Sequence, residues 1–115
     1  MMTYSLKEQL FPLGRILIAP EIESLEIDIL RLLRRHQSGD FGCVDPYDAD
    51  QNLKGIKSGE GVVSQYGVMV GEMTITICIM TETDRSSTVI FVLDKEKLES
   101  PEAPENGDNQ ASESL

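Results

Sequence analysis

Tryptophan is absent from this 115-residue chain, histidine occurs once, cysteine twice, and acidic residues outnumber basic ones by 20 to 10. Each shortage excludes something. The two cysteines, Cys43 and Cys78, form no metal-ligand or redox spacing, and with a single histidine a Cys/His zinc site is ruled out. A formal net charge of -10 repels a phosphate backbone and disfavours a nucleic-acid grip. No run of about 18 apolar residues exists to span a bilayer. The opening MMTYSLKEQLFPLGR lacks the basic and apolar regions of a signal peptide. The expectation is therefore a cytoplasmic protein with free thiols and no membrane association. No G-x-S-x-G elbow and no phosphate-cradling glycine loop occur, so neither a serine hydrolase nor a nucleotide cofactor is expected. With aromatics at 5%, the core has to rest on Ile, Leu, Val and Met.

What the chain does contain is one domain's worth of residues with ordinary apolar content, 40%. The charge is uneven. Glu99, Glu102, Glu105, Asp108 and Glu113 fall in a segment without Lys or Arg, which leaves a charge of -5 on residues 1–98. That segment, with Pro101 and Pro104 and almost no apolar bulk, cannot offset its ordering entropy. The reading is one α+β domain over 1–98 and a disordered acidic tail over 99–115.

Within the domain, Arg15–Ala19 is a short apolar run, a strand or an extended lead-in, closed by Pro20. From there the apolar period becomes helical. Ile22, Leu25, Ile29, Leu32 and Leu33 share a face, acids Glu21 and Glu23 lie at the start, and Arg31, Arg34 and Arg35 lie at the end. This predicts a long helix over about 21–37, stopped at Ser38-Gly39. Asp45-Pro46 with Asp48 predicts the start of a second, shorter helix, with Leu53 and Ile56 facing inward and Gly59 and Gly61 ending it. An EF-hand reading of DPYDADQN fails, because glycine and the closing glutamate are missing from their required positions.

Beyond Gly61 the period is two. Gly61–Tyr66 and Val68–Val70, Met73–Glu82, and Thr88–Leu93 read as strands, with Gly71-Glu72 as a tight hairpin and Thr83–Ser87 as a polar turn. The last strand is apolar on both faces, which suits a central position. The predicted architecture is one long and one short helix packed on a three- to four-stranded antiparallel sheet.

Two polar stretches stand out, Arg35-His36-Gln37-Ser38-Gly39-Asp40-Phe41-Gly42 and Thr81-Glu82-Thr83-Asp84-Arg85-Ser86-Ser87-Thr88-Val89-Ile90. With Gly14-Arg15-Ile16 and Ser64-Gln65-Tyr66 they resemble a group of small proteins carried by bacterial plasmids and other mobile elements. That group has recurring R-H-x-x-G-D-W-G and T-E-x-D-R-S-x-T-x-I words. The resemblance covers about 12–94; Phe41 stands where the group has Trp, and Asp94 where it tends to have Pro. It implies a genetic context and no chemistry.

His36, about 50° from the apolar centre of its helix, Asp40, Phe41, Glu82, Asp84 and Arg85 are the candidate binding residues. Two readings of them stay open. In one they are structural: His36 half-buried and satisfied, Asp84 closing an Asx-turn, and Arg85 pairing with Asp40 or Glu82. In the other they form a site at the ends of elements. The expected function is that of a non-catalytic accessory protein that binds a host or element protein, in an anti-defence role or as a nucleic-acid mimic. The alternative is a small metal-independent endoribonuclease with His36 as acid or base, Arg85 stabilising the phosphorane and Thr88 orienting phosphate. Both readings place the helix exit and the Asp-Arg-Ser bend side by side.

Overall fold

A computed structural model of the chain describes residues 9–98. The acidic segment 99–115, read above as disordered, lies outside them. The fold is α+β, and four strands form one sheet in the order β1-β4-β3-β2: β1 (Arg15–Ile18), β2 (Val62–Val70), β3 (Met73–Thr81) and β4 (Ser87–Val92). β2, β3 and β4 form the expected antiparallel meander, turning at Gly71-Glu72 and again over Glu82–Ser86. The sheet as a whole is mixed. β1 pairs parallel to β4, with Arg15 opposite Ser87 and Ile18 opposite Ile90, which corrects the purely antiparallel expectation. A parallel neighbour needs a long crossover. Here the crossover carries all three helices and the first hairpin strand pair, so β1 meets its partner only after nearly the whole chain has been threaded.

The long helix predicted over 21–37 is broken in two: α1 (Pro20–Glu23) and α2 (Ile29–Gln37). Ile27 explains the break. In a continuous helix it would lie about 200° around from Leu25 and face water. The irregular turn lets Leu25, Ile27 and Ile29 all pack on the same core. The Ser24 hydroxyl donates to the Glu21 carbonyl as the first helix stops, and the Asp28 carboxylate accepts from the Arg31 N–H as the second begins.

The longest helix is instead α3 (Pro46–Ser58), capped by Asp45 as predicted and ended by Gly59 in the left-handed conformation. Leu53, expected inward, is exposed, and the buried residues of that helix are Asn52 and Gly55. Gly55 lets the helix end pack closely, because a Cβ there would come within 2.9 Å of the Gly61 carbonyl oxygen.

Every helical residue in the core packs on one face of the sheet. Ile22, Leu32 and Leu33 meet Tyr66, Ile75, Ile77, Ile79, Ile90 and Val92, and a smaller cluster of Phe11, Phe41 and Val62 takes Ala49 and Ile56 of α3. Burying nine such residues, at roughly 1.5–3 kcal/mol each, is the main stabilising contribution. The opposite face carries Leu17, Val89, Met80 and Val63 in one continuous row across all four strands. Leu17 and Met80 are exposed there, and Val89 and Val63 are half-buried.

Candidate functional site

The inward faces of the strands are aliphatic except at one end, where Ser64, Thr81 and Thr88 occupy core positions and are buried. Buried hydroxyls need partners. The C-terminal turn of α2 supplies one by placing His36, with no exposed surface, over them. His36 Nδ1 lies 2.6 Å from Ser64 Oγ and Nε2 lies 2.8 Å from Thr81 Oγ1. Thr81 Oγ1 lies 2.7 Å from Thr88 Oγ1, and Thr88 Oγ1 donates to the Leu13 carbonyl at 2.7 Å.

The far end of this chain fixes its direction. A carbonyl only accepts, so the Thr88 proton is committed to Leu13. Thr88 must then accept from Thr81, Thr81 must accept from His36 Nε2–H, and Nδ1 is left to accept from Ser64. The neutral imidazole therefore fits this chain in one tautomer only, with the proton on Nε2. Its pKa is pushed down to about 4, by burial first and then by the positive charge of Arg85.

Phe11 stands edge-on to the His36 ring with centroids 5.2 Å apart, and the Arg85 guanidinium lies 5.4 Å from the Phe11 ring centroid. The hairpin bend therefore does approach the end of α2, with Phe11 packed against both groups. Arg85 meets neither carboxylate that the sequence suggested. Its Nη1 donates to the carbonyls of Glu60 (2.6 Å) and Glu82 (3.1 Å), and its Nη2 donates to that of Gly55 (3.2 Å). It thereby joins the hairpin to the C-terminal end of α3, where carbonyls are short of donors. The backbone of Arg85 is left-handed, φ 62°, a conformation that costs a non-glycine residue on the order of 1 kcal/mol. Asp84 forms the expected Asx-turn, accepting from the Ser86 N–H at 3.0 Å. The Ser86 side chain and backbone hold its carboxyl below the ordinary value.

Asp40 pairs with Arg35, whose Nε donates to it at 2.7 Å and whose Nη2 donates at 3.3 Å. The Arg35 guanidinium lies over the Tyr66 ring at 4.6 Å, and the Tyr66 hydroxyl donates to the Asp40 carbonyl at 2.6 Å. Burial pushes that phenol up to about 12. Phe41 is buried, and the exit 41–43 is stitched to β2. Gln65 N–H donates to the Phe41 carbonyl, and Cys43 N–H donates to the Gln65 carbonyl. Gly42, at φ 75°, is required there because a Cβ would collide with the Gln65 carbonyl. Of the sequence-predicted residues, His36, Phe41 and Thr88 are internal, while Asp40, Glu82 and Asp84 are exposed and Arg85 is half-buried.

Sequence reasoning missed Ser64, Thr81, Phe11 and Asn52. The signal for the first two was present: each is a polar residue on the otherwise apolar inward face of its strand, and His36 is the only histidine available to serve them. Among the described residues no group of His, Cys, Asp or Glu is arranged to hold a metal, and no helix is long and apolar enough to cross a membrane. No protein family, curated protein or solved structure matches the chain.

Proposed function

We propose that this chain is a non-catalytic accessory protein of a mobile genetic element, acting by binding a host or element protein through the open face of its sheet. The observation that carries this reading is the row Leu17, Val89, Met80 and Val63, an aliphatic stripe outside both hydrophobic cores. A contiguous apolar surface of that kind marks interaction sites more often than inert skin. Exposed Met80, with Met69 on the same face, adds side chains that adapt to a partner's shape. The acids Asp40, Glu82 and Asp84 stay on the surface, where they can steer a basic partner. The mobile-element context rests on the sequence resemblance alone.

The ribonuclease reading has less support. A general base needs a free ring nitrogen within reach of substrate. Both nitrogens of His36 are occupied, Thr88 donates to Leu13, and the Arg85 guanidinium is directed at carbonyls. The test has two arms. The full chain should leave RNA intact and be harmless on expression. Immobilised on resin, it should capture one partner in a salt-sensitive way, and Met80→Glu should release that partner while the fold persists by circular dichroism. RNA cleavage that His36→Ala abolishes in a folded variant would replace this proposal with the enzymatic one.

A further inference from the structure

The two edges of the sheet are treated differently. Along the first half of β2 the outward-pointing backbone groups are filled: Asn52 both donates to the Val63 carbonyl (2.6 Å) and accepts from the Val63 N–H (3.0 Å), while residues 41–43 satisfy Gln65. β1, at the other edge, has no such cover among the described residues, and all four of its residues are exposed. In the parallel ladder Arg15 N–H donates to Ser86 and Ala19 N–H donates to Ile90. The alternation puts Leu17 on the same side, so the N–H and C=O of Ile16 and Ile18 face outward. Of the usual guards against edge pairing this strand has its shortness and the charge of Arg15, and it carries no Pro, no Lys and no bulge.

We propose that β1 pairs antiparallel with β1 of a second copy of this chain across a two-fold axis at Leu17, giving one continuous eight-stranded sheet. Open backbone positions, side chains and charge all agree with this register. Ile16 faces the partner's Ile18 and Ile18 faces the partner's Ile16. These are the residues whose backbone groups point outward, so both pairs close with two hydrogen bonds each. Leu17 meets the partner's Leu17 at the close, non-hydrogen-bonded position, and no like charges stand opposite each other. Arg15 makes no ion pair among the described residues. In this register it faces the partner's Ala19 and stands opposite no other cation. The open-face row ending at Leu17 continues into the same row of the second copy, which doubles the surface assigned above to a protein partner. The proposal does not depend on that assignment.

The experiment uses the full chain with Cys43→Ser as background, because Cys43 is the exposed thiol and Cys78 is buried. Single cysteines replace residues 15, 16, 17 and 18 in turn, followed by mild oxidation and non-reducing electrophoresis. Only Leu17→Cys should yield a disulfide-linked dimer, since only that residue meets its own copy, at the roughly 4.5 Å Cα separation of a non-hydrogen-bonded pair, within disulfide reach. Without cysteines, Ile18→Pro removes an outward donor and leaves the ladder to β4 intact. It should convert the sedimenting species from dimer to monomer with little change in thermal midpoint. A wild-type chain that sediments as a monomer at every concentration overturns the proposal, as does crosslinking of equal yield at all four positions.

Discussion

At the scale of single residues, His36 is the side chain with the most at stake, fully enclosed and bonded at both ring nitrogens. Its imidazole is neutral in the fold, while in the unfolded chain it takes a proton below about pH 6.5. The stability it contributes is therefore complete above that pH and is lost as pH falls toward its folded value of about 4. Denaturant unfolding at pH 7.5 and pH 5 should show a loss of about 2 kcal/mol, in a window above the ordinary carboxylate range. A flat profile between those values would mean that the imidazole is not enclosed. Imidazole 15N shifts at pH 7 should report Nε2 as protonated and Nδ1 as acceptor. His36→Ala, which opens a cavity and strands two buried hydroxyls, should cost on the order of 3–5 kcal/mol.

Arg85 gives a sharper comparison. Arg85→Ala removes the carbonyl clamp and keeps the left-handed backbone strain. Arg85→Gly removes both, so the glycine variant should be the more stable of the two by about 1 kcal/mol in parallel melts. Equal stabilities would show that the backbone at 85 carries no strain. The sequence pointed to both residues because each lies in a polar stretch at the end of an apolar element. It did not show that Arg85 takes carbonyls, because backbone acceptors leave no mark on side-chain identity.

At the scale of elements, legibility followed the periodicity. The β2–β3 hairpin, the cap and stop of α3, and the central place of β4 were all readable from alternation and turn residues. The split between α1 and α2 was not, because Ile22, Leu25, Ile29 and Leu32 satisfy the helical period with or without a break. Only the placement of Ile27 against the core decides it. The parallel pairing of β1 is a choice made across some seventy residues, and local pattern does not encode it. Asn52 is similar: its register against Val63 comes from packing. Because it serves a half-buried donor and acceptor together, Asn52→Ala should destabilise by about 1–3 kcal/mol. Asn52→Asp should be comparably damaging, since a carboxylate cannot donate to the Val63 carbonyl. Urea titration of both variants checks this; a neutral Asn52→Asp would show that the amide is not holding the edge.

At the scale of the whole molecule, the chain divides its chemistry between an inside and an outside. The polar words that drew attention in the sequence fold inward and sideways, tying α2 to β2 and the hairpin to α3, while an aliphatic row is left outside on the bare sheet face. Selection for binding at that face should separate cleanly from selection for the internal network. The most direct measurement is quantitative capture of a partner from host lysate, at low and high salt, by three forms of the chain: wild type, Met80→Glu, and the double variant Asp40→Asn/Asp84→Asn. Wild type should hold a single stoichiometric partner, Met80→Glu should lose it, and the double variant should retain it with a slower association rate. Full retention by Met80→Glu with loss in the double variant would contradict the account and return the binding site to the helix exit and hairpin bend.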